Sequence, residues 1–504
     1  MKRFWKFCGI TLLVILGIVV LLFVLMLIIP EFKLFNHQYV KRKTTTSIVS
    51  NVTIDSSSNY YLVIVTESFD IEITENATLD TITVQYEDSK WGMANIPKSS
   101  LAIKENDNII EMNMLEKSGL LFGSGKLKIT MPNTKNVILD ISTGKGNINI
   151  NKKQLLGLTA TMDSGSLTWV AKQTVQVANP KKNPDDEAEE ITYSEVEQNI
   201  EEMQIDSFNI FSKNATVDLS CFKNFSVNGR MLISANKLDL NFDTLTADLY
   251  INADSLNLTV KTLNENGDLN IISKSGKIAI TTLNSTGLCN IYAQKSNVNI
   301  ANNNSELYVR TSSGNAEVST SNNKLNIVST SGRVIVNTAT ADCVVKTTSG
   351  DINIAEYYRN MTISTESGNI SAHDKGEENS AYRTNIIQDT GNINHITEAN
   401  TVSIVSNKGS NITVTIRKMC LNTGINHSII NKYGTTRAYI MTTNNPFKIR
   451  AVGNDVYGEL GSIVVVNSNT NYIDYVPENY FDNTTNVSSI NVEGGVVRFT
   501  GIYE

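Results

Sequence analysis

Along the middle of the chain, apolar residues recur at steps of 2, 7, 2 and 7, a beat that closes every eighteen residues. A Ser-Gly pair marks each repeat, at Ser313-Gly314, Ser331-Gly332, Ser349-Gly350 and Ser367-Gly368. Two residues after each Gly stands Ala316, Val334, Ile352 or Ile370, and two further on Val318, Val336, Ile354 or Ala372. Seven before each Gly stands Leu307, Leu325, Cys343 or Met361, and five before it Val309, Ile327, Val345 or Ile363. A step of two keeps both side chains on one face of an extended strand, and a step of seven takes the chain round a bend. One such unit cannot bury its apolar face alone, so the pattern predicts stacked coils. The expected fold is all-β, a parallel β-solenoid of about 18 residues per coil, right-handed by the usual rule for parallel crossovers. Cys289, Leu307, Leu325, Cys343 and Met361 should form one inward ladder, and Thr311, Ser329, Thr347 and Thr365 a hydroxyl ladder beside the bend. The Gly at that bend is expected to supply positive φ.

Two other eighteen- or nine-residue architectures fit poorly. A left-handed hexapeptide helix needs one aliphatic every six residues. A calcium roll takes its ligands from Gly-Gly-x-Gly-x-Asp turns, whereas these turns read TSSGN, STSGR, TTSGD and TESGN.

The flanking regions divide by pattern. Phe7 to Ile29 is an apolar run without a charge, long enough to span about 30 Å of hydrocarbon as a helix. No small-residue cleavage site follows it, which points to an uncleaved anchor in residues 1–30. Lys2, Arg3 and Lys6 before the run favour a cytoplasmic N-terminus and an extracytoplasmic body, while Lys33, Lys41, Arg42 and Lys43 after it argue the other way. Cys8 lies at the cytoplasmic edge of the run and is read as an inert thiol, with a lipid-modified Cys as the alternative. After a linker (31–46), residues 47–135 alternate apolar and polar positions, which suits antiparallel pairing, and read as a small β-domain or a β cap closing the first coil. Repeats are expected over 136–416, from NVILDISTGKGNINI onward, with Gly144 and Gly165 as early turn glycines and Leu269, Ile271, Ile278 and Ile280 on the ladders. The acidic stretch 171–204, with NPKKNPDDEAEE, breaks the beat and reads as a surface loop carrying a short helix near Tyr193 to Met203. Residues 417–504 are strand-like without the beat and read as a second cap.

Charge and chemistry narrow the function. A formal net charge of −7 gives no support for nucleic acid as a partner. Five Cys in 504 residues make no disulfide framework, and Cys289 and Cys343 read as small core residues. His37, His373, His395 and His427 have no His, Cys or carboxylate at ligand spacing, so no metal site is expected. No nucleophile elbow, P-loop or dinucleotide fingerprint is present. Asp351, Glu317 and Glu356 occupy different coil positions, unlike the clustered carboxylates of β-helical carbohydrate enzymes. The expectation is no enzyme, no catalytic, cofactor-binding or metal-ligating residue, and no cofactor.

The segments STGKGNINI, SKSGKIAI, TSSGNAEV, TSGRVIV, TTSGDINI, ESGNISA and DTGNINH resemble the "putative adhesin" family of bacterial envelope proteins. The Pro-containing entry KITMPNTKNVILDIST resembles that family too, and the resemblance covers roughly Ser47 to Ile416. It implies a β-helical, often membrane-anchored protein without known enzymatic activity, and carries over no catalytic residue. The acidic insertion and the weakly repetitive C-terminal region depart from the family's pattern. The expected partners are the lipid bilayer, through residues 7–29, and a glycan or protein ligand on the Asn- and Thr-rich coil faces. Three alternatives stay open: a membrane-tethered scaffold polymerising end to end as bactofilins do, an envelope-stress sensor accessory, and, last, a carbohydrate-active enzyme.

Overall fold

The computed structural model describes residues 11–22, 24, 33–34, 37–41, 44–54, 57–95, 100–115, 119–178, 193–265, 267–376, 382–398, 401–417, 426–441, 447–460, 463–464, 472–475 and 488–502. They form two units, one of residues 1–222 with 234–236, the other of residues 223–233 with 237–504. Both are built from parallel β coils.

In the second unit the eighteen-residue beat becomes strand register. Cys289 pairs with Leu307, Leu307 with Leu325, Leu325 with Cys343 and Cys343 with Met361. The other three apolar positions stack in the same way, from Ile291 to Ile363, Val298 to Ile370 and Ile300 to Ala372. All of these side chains are buried. Leu269, Ile271, Ile278 and Ile280 join the ladders through partners twenty residues on, as in Leu269 with Cys289 and Ile278 with Val298. The Thr and Ser ladder is buried and bonded: Thr311 Oγ1 donates to Ser329 Oγ (3.0 Å), Ser329 Oγ to the Gly332 carbonyl (3.0 Å) and Thr347 Oγ1 to the Gly350 carbonyl (2.8 Å). These hydroxyls sit inside because they satisfy the backbone of the bend, which otherwise would be an uncompensated buried polar group.

The bend itself differs from expectation in its physical cause. Gly314, Gly332, Gly350 and Gly368 do not have positive φ; Gly165, Gly276, Gly391 and Gly409 do. At the repeating bend the constraint is close approach. A Cβ on Gly332 would run into the carbonyl oxygen of Gly314, one on Gly350 into that of Gly332, and one on Gly368 into that of Gly350. Successive bends stack backbone on backbone, and only hydrogen fits between them. In the first unit the same approach sets Gly165 over Gly146. The coil there is nineteen residues, as Lys145 with Ser164 and Ile138 with Gly157 show, so Gly146 rather than Gly144 lies beneath Gly165.

Both units contain coils that stack out of chain order. In the first, strand Val137–Lys145 lies between Gly157–Trp169 on one side and Tyr60–Thr66 on the other, all parallel. Tyr60–Thr66 then pairs in parallel with Ile109–Leu115, and Phe69–Asn76 with Gly119–Pro132. Parallel stacking thus begins at Tyr60, well before Asn136. Antiparallel strands cover the outer side of this stack: Ser100–Asn106 on Ile109–Leu115, and Thr81–Asn95 on Gly119–Pro132. In the second unit, Ser488–Ile502 inserts between Asn426–Met441 and Phe447–Leu460, in parallel with both. Phe447–Leu460 is covered in turn by antiparallel Tyr472–Tyr475. An antiparallel neighbour gives an edge strand a partner that cannot continue the parallel stack.

The acidic insertion contains strands where a helix was expected. Lys172–Ala178 and Tyr193–Asn199 form a two-stranded antiparallel ribbon, with Val175 opposite Val196. Alternation in QTVQV and the Val196 partner favours extended pairing over a helical turn. The NPKKNPDDEAEE segment lies outside the described residues, as do Cys8 and residues 377–381.

Residues 11–22 are helical with exposed apolar side chains, Leu12 at 71% exposure. Among the described residues no helix is long and apolar enough to cross a membrane. The rest of the apolar run, 7–10 and most of 23–29, lies outside them.

One buried acid in the second unit yields a stability prediction. Glu265 is 3% exposed; its Oε1 accepts the Leu249 N–H (2.9 Å) and its Oε2 has no partner. Burial pushes the carboxyl up to about 8, against the Leu249 bond, which lowers it. The fold keeps the proton while the unfolded chain loses it near the ordinary Glu range, so this group's contribution to stability should fall as pH rises from about 4.5 to 8. Glu265→Gln keeps the shape and the acceptor and removes the titration. It is expected to gain roughly 3 kcal/mol at pH 7 and to flatten the fall between about pH 6.5 and 8 in urea melts. A variant as pH-dependent as the parent would refute the assignment.

Candidate functional surface

The outside of the second unit is dominated by side chains that bond from coil to coil. Asn322 Nδ2 donates to Asn304 Oδ1 (2.8 Å), Asn304 Nδ2 to Asn284 Oδ1 (2.7 Å) and Asn284 Nδ2 to Asn264 Oδ1 (3.0 Å). A second ladder runs from Asp351, whose Oδ1 accepts from Asn369 (3.0 Å), through Asn392 to Asn411. Much of the Asn-rich surface that the sequence offers for ligand binding is therefore spent on stacking. Many cations are spent as well: Lys261 on Asp243, Lys274 on Asp254, Lys324 on Glu306, Lys375 on Glu356 and Lys408 on Asp389. Each partner sits one coil away, so these are lattice-like pairs of modest individual worth.

The scattered acids fall into that lattice. Asp351 accepts the Asn369 N–H (2.8 Å), Glu317 accepts from Asn299 (3.4 Å), and Glu356 pairs with Lys375 (2.9 Å). The structure does not bring the three together.

The histidines behave differently from their spacing. His373 Nε2 lies 3.0 Å from Glu398 Oε1, a contact between strands Ile370–Asp374 and the coil after it. His395 and His427 are buried. Only the Nδ1 of His395 has a partner, the Ala372 carbonyl at 3.1 Å, and its ring stacks on Tyr357 at 6.3 Å. Burial pushes His395 down to about 3 and His427 down to about 4, so both are neutral. His37 lies on strand His37–Lys41, and its side chain is outside the described residues. Among the described residues no three His, Cys, Asp or Glu stand together as a metal site. Cys289 and Cys343 are buried and free, and burial pushes their thiols up to about 11 and about 12. Thiols held so far from ionisation are core residues and poor nucleophiles.

One surface feature was not singled out by sequence pattern. On the outward face of Asn426–Met441, Ser488–Ile502 and Phe447–Leu460 lies a groove of about 520 Å³, lined by Arg437, Tyr439, Asp455, Tyr457, Arg498 and Thr500. Strand register sets its grid. Arg437 is opposite Arg498, and Arg498 is opposite Tyr457; one row along, Tyr439 is opposite Thr500, and Thr500 is opposite Glu459. Alternation makes the residues between them, Ala438, Val456, Val497 and Phe499, the buried floor. Neither guanidinium group has an ion pair or hydrogen bond among the described residues. Sequence could flag these strands as alternating but not the neighbours that a chain-order reversal creates.

Three comparisons bear on kinship. The family profile described as Toastrack DUF4097 matches residues 185–415, somewhat less than half of the chain. That span holds the Ser-Gly repeats from SKSGKIAI onward and stops next to Ile416. No curated protein matches the chain. A solved structure described as a "putative cell adhesion protein from Clostridium sporogenes ATCC 15579" aligns over 92% of this chain and 100% of its own at 8% identity. Its TM-score is 0.12, and at that level the alignment carries no argument. The matched family's description names a shape and no reaction.

Proposed function

We propose that this protein is a membrane-anchored, surface-exposed, non-catalytic binding module of the cell envelope, adhesin-like, with its coils outside the membrane. The observation that carries this reading is the contrast on the second unit's surface. Many Asn, Lys and carboxylate side chains are spent from coil to coil, while one groove sets two unpaired guanidinium groups on neighbouring strands together with two tyrosines. The charge-free run from Phe7 to Ile29 supports the anchor, and Lys2, Arg3 and Lys6 support a cytoplasmic N-terminus. The scaffold reading, in which coils polymerise end to end, is less favoured. Antiparallel strands lie on the outermost coil strands of each unit, where a second copy would have to add in parallel.

Protease shaving of intact cells, with an epitope tag after Glu504, tests the placement. Loss of the tag without lysis is expected. A tag cut only after lysis would put the coils in the cytoplasm and overturn the surface reading.

A further inference from the structure

The geometry points to the groove of Arg437, Arg498, Tyr439 and Tyr457 as a binding site for an acidic saccharide, held by the carboxylate of a uronic-acid-type unit. This rests on the binding-module reading and names the ligand class for it.

The first observation is electrostatic. Arg437 and Arg498 are direct register neighbours, with backbones about 4.8 Å apart on adjacent parallel strands. Like charges directly opposite in a sheet are destabilising. Elsewhere on this unit a cation is commonly set one coil from a carboxylate, as Lys261 is from Asp243 and Lys408 from Asp389. Here two exposed guanidinium groups adjoin each other, unpaired, on a protein of net charge −7. A planar carboxylate bridging both forks would offset that repulsion through charge-assisted hydrogen bonds.

The second observation is the remainder of the lining. Tyr457, 43% exposed, continues the arginine row, and the half-buried Tyr439, two residues along from Arg437, stands at the diagonally opposite corner of the grid. Their rings offer flat apolar faces with a polar tip, suited to the C–H face of a sugar ring. Thr500 and Asp455 supply a hydroxyl and an acceptor for sugar hydroxyls. Asp455 in the lining and Glu459 opposite Thr500 also set the limit on charge. A nucleic acid or polysulfated chain would bring further anions against these carboxylates, whereas a ligand with one carboxylate per unit and many hydroxyls would not. The volume falls within the roughly 300–1,000 Å³ of small-molecule sites.

The test uses the full-length protein in detergent micelles, titrated by calorimetry with a galacturonic acid trimer, its carboxyl-reduced neutral form, an acidic hexapeptide and heparin. Saturable binding of the trimer is expected, with loss of binding for the reduced form. Arg437→Ala and Arg498→Ala should each weaken it at least about tenfold, and Arg498→Lys by less, because a lysine keeps charge without the fork. Arg310→Ala, an exposed arginine on another coil, should leave it unchanged. A folded protein that ignores the trimer, that binds it equally after Arg437→Ala/Arg498→Ala, or that prefers the hexapeptide or heparin would overturn the assignment. Cell shaving is independent of this result. Coils found inside the cell would sink the surface reading with the titration intact, and coils outside without trimer binding would sink only the ligand class.

Discussion

Gly332→Ala is expected to destabilise the second unit by roughly 2–4 kcal/mol, read as a drop in urea midpoint. The added methyl would overlap the Gly314 carbonyl, which belongs to the bend beneath and is held by its own strand pairing. Neither backbone can yield alone, because Ala316–Ser321 and Val334–Ala339 are in register along their length. In a coil stack each repeat touches chiefly its neighbours, so the damage should be local. Hydrogen exchange should rise in coils 307–357 and change little in the first unit. A comparison of substitutions separates the steric cause from a conformational one. Were positive φ the requirement, Gly332→Asn would be milder than Gly332→Ala, because Asn tolerates the left-handed region. Close approach predicts that Asn is at least as harmful. An alanine variant within about 0.5 kcal/mol of the parent would refute the stacking argument.

Acid is expected to loosen the coils around Tyr357 to Ile440 well above the carboxylate range. His395 and His427 keep their neutral form down to about 3 and about 4 because their rings are buried. The unfolded chain takes up those two protons near pH 6.5, and the fold refuses them. Unfolded chains then bind more protons, so stability rises with pH in this window and is lost as pH falls below about 6.5. Each histidine contributes a slope of at most about 1.4 kcal/mol per pH unit, and together they cost on the order of 5 kcal/mol by pH 4. Glu265 acts in the opposite direction, losing stability as pH rises, so the unit should be most stable in mildly acidic to neutral solution. His427→Leu offers the cleaner test, since neither ring nitrogen has a partner among the described residues. It should raise the urea midpoint at pH 5 and roughly halve the acid slope. An unchanged slope would mean that His427 is not held neutral by the fold.

The family match over residues 185–415 and the sequence beat there describe the same coils from two directions. One 23-residue coil already interrupts the beat within that span, as Met361 with Thr384 and Ile370 with Ile393 show, and past Ile404 the coils lengthen again. Ser403 finds Ser428 twenty-five residues on, and Ile412 finds Thr436 twenty-four residues on. A longer coil changes nothing in the ladder as long as its extra residues bulge outward. It does remove the period by which a reader of sequence would find it.

What the sequence determined by itself was the local unit. Leu307, Leu325, Cys343 and Met361 could be assigned to one inward ladder from their spacing alone, because strand alternation and a constant coil length are local properties. Burial of Cys289 and Cys343 and the interior hydroxyls followed from the same beat. Tertiary structure decided the rest. It set the reason for Gly at the bend, since the obstructing carbonyl belongs to the previous coil. It placed His373 against Glu398 and buried His395 and His427, which no short-range spacing links. It also created the arginine pair. Arg437 and Arg498 meet only because Ser488–Ile502 returns past Phe447–Leu460 to pair with Asn426–Met441. Such a return is chosen by the pairing energy of whole strands, and that energy leaves no period in the chain.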